Sequence, residues 1–317
     1  MEMALIVVWQ TILMFLFMAI GFALFKSGKI TKEGSRVLAN VLVYAILPSV
    51  IIKSFCKIPT LENMKNLGLS ALVGGVAMLV CILVSRLIFN KRPMDEFACA
   101  FSNVGFFGIP LIQSTPLGQA GVFYIAMIVV YVNIGQWTYG VMRITEKSLG
   151  EVFSPKKLLF SPFILATLVG LAIFFSGAGD FIITNKITNT LIYGLIDGLS
   201  IVNTPLAMLV IGCYLAQTDL KSLFTTKSVY LVCAVRLVII PLALLGVLSL
   251  FAFTYYEITI AVFIAAISPV GSNVAVYAQL HGKDYSYAVK TVTTSTVLSV
   301  ITMPLFIMLA NLIWLGI

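Results

Sequence analysis

Apolar runs of about twenty residues recur along this chain, and each ends in a short segment that gathers lysine, arginine, glycine or proline. As a helix, a run of that length covers the ~30 Å hydrocarbon core of a bilayer. Ten such windows fall at roughly 4–25, 37–55, 68–89, 96–116, 120–142, 158–176, 187–215, 228–251, 257–279 and 286–315. In lipid a helix satisfies its own backbone hydrogen bonds. The expected fold class is therefore an all-α polytopic membrane protein with ten transmembrane helices. Composition agrees, with 60% of residues hydrophobic, 10% charged and a mean hydropathy of +1.08. The first run precedes Lys26 and Lys29, whereas a signal peptide carries its basic residues first, so it reads as a retained span. Cys56, Cys81, Cys99, Cys213 and Cys233 show no paired spacing and read as small apolar packers.

Lysine and arginine are retained on the cytoplasmic side of a membrane. The odd-numbered loops hold fifteen of them, among them Lys26, Arg86, Arg143, Lys221 and Lys283, and the even-numbered loops hold four, Lys53, Lys57, Lys65 and Lys186. Both termini are expected outside the cytoplasm, in a plasma membrane such as a bacterial inner membrane. The net charge of +8 follows from this topology and gives no reason to invoke nucleic acid.

A polar connection at 146–157 separates five runs in 1–145 from five in 158–317. Because five is odd, the second half enters the membrane in the opposite sense, which makes any likeness between the halves an inverted repeat. Pro48 and Pro205 occupy the second run of each half. The fourth run reads FSNVGFFGIPLIQS at 101–114, with Asn103, Gly105, Gly108 and Pro110, and the ninth reads ISPVGSNV at 267–274, with Ser268, Pro269, Gly271, Ser272 and Asn273.

Asp95 and Glu96 open the fourth run, so its break lies roughly 12 to 22 Å further in, near mid-membrane. Pro110 cannot donate to the Phe106 carbonyl and crowds that turn, while Gly105 and Gly108 let the backbone unwind. Pro269 likewise frees the Ala265 carbonyl. Such groups are tolerated only where protein or enclosed water satisfies them. Gly and Pro also make simple packing kinks, but two matched breaks flanked by Asn and Ser favour a binding site. Half-helix N-termini that converge on one point would seat an anion such as a carboxylate. Asn103, Ser268, Ser272 and Asn273 would add neutral donors and acceptors.

Four other features stay open at this level. Asp197, inside the seventh run, is either a coupling relay or a group facing an aqueous vestibule. Arg236, in the eighth, either attracts an anion or snorkels to headgroups. These two, with Pro48 and Pro205, are candidates for coupling or gating. His281, the single histidine, reads as a pH sensor or a solvated loop residue. The hydroxyls of KTVTTSTVLS in the tenth run line a polar path or bond their own helix carbonyls.

On NVGFFGIP from Asn103 to Pro110, AILPS around Pro48, TPLAMLVIG from Thr204, and SPVGSNVAVYAQLHG from Ser268, the chain resembles the auxin efflux carrier family over essentially its whole length. The resemblance implies a five-plus-five inverted repeat. Spans 1, 2, 6 and 7 would form a scaffold and dimerisation domain, and spans 3–5 and 8–10 an elevator-like transport domain in which spans 4 and 9 cross as broken helices. Asn103 and Pro110 carry over as a substrate-site residue and a crossover proline. Plant members have a second proline where Val274 stands, and the short central connection favours the bacterial malate and malonate carrier branch.

The implied function is secondary transport of small organic anions, mono- or dicarboxylates. The alternatives are a sodium-coupled symporter of the bile-acid type, an exporter of auxin-like aromatic acids, or a channel. A Gly-x4-Gly-Lys-Ser/Thr loop is missing from the sequence, which argues against direct ATP use and leaves proton or sodium coupling or facilitated diffusion. An intramembrane enzyme would need a second acid beside Asp197, or a histidine within a span. No cofactor or metal is expected.

Overall fold

The computed structural model describes residues 2–218 and 226–316; Lys221, counted above with the cytoplasmic charges, lies outside them. Seven helices are long and apolar enough to cross a bilayer. They are α1 (Val8–Lys26), α2 (Lys32–Phe55), α3 (Leu61–Phe89), α6 (Gly118–Thr145), α9 (Lys186–Ala216), α10 (Lys227–Ala252) and α13 (Tyr285–Leu315). Each coincides with one of the apolar runs read from the sequence.

The other three runs are divided. The fourth becomes α4 (Pro93–Ala100) and α5 (Val104–Gln113), and the ninth becomes α11 (Tyr256–Ile267) and α12 (Asn273–Leu280). The sixth departs from expectation, since 158–176 is not one continuous span. Helix α7 (Pro162–Phe175) starts at a proline and is only about 21 Å long. The chain then turns by 81° into α8 (Ala178–Thr184), through Gly177 at a φ of 73°.

Three intramembrane prolines share one local device. The turns Leu42–Ile46, Val104–Gly108 and Val235–Ile239 are π-helical, and Pro48, Pro110 and Pro241 each follow two residues later. A π turn widens the coil where the ring would strike the preceding carbonyl, so the helix continues past the proline.

The packing is inside-out. Leu72, Leu79, Leu83 and Leu87 form an exposed stripe on α3, while Asp95, Glu96 and Arg236 are buried. This is the distribution expected of a lipid-facing surface around a polar interior. Every residue of α11 from Ile258 to Ile267 is buried, which places it at the centre. Helices α1 and α9 touch backbone to backbone, and a Cβ on Gly212 would lie 2.0 Å from the Met18 carbonyl oxygen. Phe55 of α2 packs on Phe123 and Phe174, with centroids 5.2 and 6.5 Å away.

Lys53 of α2 and Asp197 of α9 form an ion pair with side chains 12% and 37% exposed. Asp197 thus has a cationic partner while part of its side chain stays exposed. A partly exposed pair contributes little, so Asp197→Asn is expected to cost less than about 1 kcal/mol. A thermal unfolding scan that moves by only a few degrees checks this.

Candidate functional site

The two divided runs meet where they unwind. Residues 101–103 and 268–272 leave helical geometry and lie antiparallel, bridged at Ser102 and Val270. Asn103 donates its N–H to the Pro269 carbonyl at 2.8 Å, and Gly271 donates to the Phe101 carbonyl at 3.0 Å. A Cβ on Gly271 would stand 3.1 Å from the Phe101 oxygen and 3.2 Å from that of Ser102, so glycine permits the close approach.

The unwinding in the fourth run falls earlier than its breakers suggest. Gly105, Gly108 and Pro110 lie inside the π turn and α5 rather than in the unwound residues. Gly108 instead makes room for the Ser268 hydroxyl, 3.1 Å from where its Cβ would be, and Gly105 packs on Phe163. Pro269 and Gly271 do sit in the unwound stretch, as expected.

Arg236 accounts for the carbonyls. It is fully buried, and it donates to the carbonyl of Cys99 at 2.9 Å, to that of Ser268 at 3.0 and 2.7 Å, and to that of Ala266. These oxygens end α4 and α11, whose C-terminal dipoles both point at the guanidinium. Arg236 therefore does not snorkel to headgroups, and it does not line the crossover cavity, as a direct anion contact would require.

Beside the crossover a cavity of about 30 Å³ is lined by Asn103, Phe106 and Ser272, by Ile211, Tyr214 and Leu215 of α9, and by Val292, Thr293 and Thr296 of α13. It has room for about two waters, so a carboxylate would enter only as side chains such as Phe106 move. All nine lining residues are neutral. Asn103 is buried, and its side-chain amide makes no hydrogen bond among the described residues. The N–H groups that open α5, at Val104, Gly105 and Phe106, have no helical carbonyl one turn earlier, and the first bonds within the helix run from Phe107 and Gly108 to the Asn103 carbonyl. Ser102 Oγ and Thr294 Oγ1 are also buried without partners among the described residues.

Of the residues named from the sequence, Asn103 and Ser272 reach this cavity. The Ser268 hydroxyl donates to Ile264 at 3.1 Å, and the Asn273 amide donates to Gln136 at 2.8 Å, so both face elsewhere. Pro48 and Pro205 do not line the cavity, although α9, which holds Pro205, supplies three of its walls. The α13 hydroxyls follow both readings. Thr296 bonds its own Val292 carbonyl at 2.8 Å and Thr293 meets Thr218 at 3.2 Å, yet both line the cavity. His281 stacks on Tyr277 and lines a separate cavity of about 280 Å³ with Trp137, Lys147 and Glu151.

Helix α4 is anchored at its far end. The Glu96 carboxylate, fully buried, accepts from Arg143 at 3.1, 3.0 and 2.9 Å, from Arg86 at 3.4 Å and from Tyr139. Asp95 accepts from Tyr287 of α13 at 2.6 Å and pairs with Arg92. Both acids lie in the first turn of α4, where the helix dipole favours negative charge.

Residues 6–307 match the family described as membrane transport protein. A protein of Rhizobium meliloti (strain 1021) named "Putative malonate transporter" is 26% identical over 285 residues, which is 85% of each chain. Both findings agree with the resemblance carried by Asn103–Pro110.

Proposed function

Because the chain belongs to the membrane transport protein family, and is a transporter rather than an enzyme, we propose that it carries small organic anions across the membrane, mono- or dicarboxylates such as malonate or malate. The observation that carries this reading is the backbone-paired crossover with the unpartnered Asn103 amide, the Ser272 hydroxyl and the first N–H groups of α5 beside one neutral cavity. Neutral donors and a helix N-terminus bind a carboxylate without burying a fixed counter-charge, so release stays easy. Gly105, Gly108, Pro110, Ser268, Pro269, Gly271 and Asn273 shape the backbone around it.

Seven long helices, the bent pair α7 and α8, and the two divided runs together make ten spans, arranged as two inverted sets of five. Helices α1, α2, α7, α8 and α9 form the scaffold, and the rest move as a transport domain that slides the cavity along α9. The walls from Ile211, Tyr214 and Leu215 then belong to the static side, which gives an elevator-type carrier its alternating access. Both termini lie outside the cytoplasm of a bacterial inner membrane, and two copies pair through the scaffold.

Uptake of radiolabelled malonate, malate and a monocarboxylate panel into proteoliposomes tests the function. Saturable uptake with counterflow exchange is expected for at least one of them. Non-saturable flux would indicate a channel, and no flux over the whole panel would remove carboxylates as substrates.

A further inference from the structure

Two half-helix C-termini facing each other inside a membrane form a seat for a cation. Each contributes a partial charge of about −0.5 and carbonyls with no intrahelical partner. In broken-helix carriers such ends are where a coupling sodium ion or proton is bound. Here the ends of α4 and α11 present the carbonyls of Cys99, Ala266 and Ser268, and the Arg236 guanidinium occupies the space between them. Arg236 is fully buried and forms no ion pair among the described residues. Its charge is therefore balanced by the two dipoles, whose sum is about −1.

We infer that Arg236 is a tethered cation that permanently fills the crossover's cation seat, so that the crossover assembles without a dissolved sodium ion. Three features carry this. The donors reach both broken helices at once, the oxygens that receive them are all backbone carbonyls as in a cation site, with the Cys81 thiol a longer contact at 3.9 Å, and the side chain comes from α10, which belongs to neither broken helix. The consequence for coupling, that no sodium ion is needed at this place during transport, rests on the carrier reading above; the seat itself does not.

The test is thermal unfolding of the purified full-length protein in detergent, which reads the seat whether or not the protein transports anything. The wild-type midpoint is expected to be the same in sodium chloride and in choline chloride at equal ionic strength. Arg236→Ala is expected to lower it by at least about 5 °C. Millimolar guanidinium chloride should restore part of that loss, and sodium chloride a smaller part, while choline chloride restores none. Arg236→Lys, which keeps the charge but not the planar fork, should fold with an intermediate midpoint that does not respond to either cation. Saturable stabilisation of the wild type by sodium over choline would overturn the proposal. So would an Arg236→Ala protein on which guanidinium and choline act alike. If Arg236→Ala yields no folded protein, Arg236→Lys decides: its equally complete loss would show that a cation in this place is not what holds the crossover.

Discussion

Glu96→Ala is expected to destabilise the protein by about 3 kcal/mol or more, because removing one partner of a buried ion pair strands the other. The carboxylate is fully buried and holds Arg143 through three hydrogen bonds, with Arg86 and the Tyr139 hydroxyl completing its coordination. Those contacts join α3, α4 and α6 at the end of α4 away from the crossover. The Arg143 side chain is 21% exposed and keeps a bond to the Asn90 carbonyl at 2.7 Å, so part of its desolvation cost remains when Glu96 is removed. For a chain of this size the midpoint in a fixed detergent should fall by roughly 5–10 °C. The double substitution Glu96→Met with Arg143→Met should be closer to wild type than Glu96→Ala alone, since it strands neither member of the closer pair and the cation left behind, Arg86, has a side chain 41% exposed that reaches water. A double variant less stable than the single would show that the contacts act independently.

Asn103→Ala is expected to lower initial uptake of the carried anion at least tenfold, with the unfolding midpoint unchanged. A hydrogen bond to a charged group contributes about 1.5–3 kcal/mol, and each 1.4 kcal/mol is about tenfold in affinity. The side chain makes no cap hydrogen bond at the start of α5, and the crossover uses only its backbone N–H, so alanine removes nothing structural. The loss should appear as a raised half-saturation concentration. A variant that loses uptake and folding together would instead make Asn103 a structural residue.

The sequence marked where the helices break but not how. Gly105, Gly108 and Pro110 signal an interruption, yet the unwound residues are 101–103, none of them glycine or proline. What holds those three open is remote. Pro269 accepts the Asn103 N–H, Gly271 donates to Phe101, and Arg236 takes the Cys99 carbonyl. Local propensity does not encode partners more than a hundred positions away, whereas the π turn absorbs the proline that local reasoning treats as the breaker.

Side-chain direction was the second gap. Asn103 and Asn273 each lie beside a break in an apolar run, and the hydrogen bond from the Asn273 amide to Gln136 turns that side chain away from the cavity. Arg236 illustrates the same limit, because a lone charge in an apolar run looks alike whether it snorkels or caps carbonyls. Apolar length, by contrast, was legible directly. Every long helix matched a hydropathy window, and the exception, the sixth, failed where Pro162 and Gly177 shorten it below the bilayer thickness.

A carried anion held in the cavity beside the crossover would shield a cysteine placed in the cavity wall. Ser272→Cys is nearly isosteric, and the five native cysteines are all buried, so a polar thiol reagent should report on the new position. A dicarboxylate taken up by the wild type is expected to slow modification of the introduced thiol saturably, with half-protection at the concentration that half-saturates uptake. Modification at an unchanged rate in saturating dicarboxylate would contradict it.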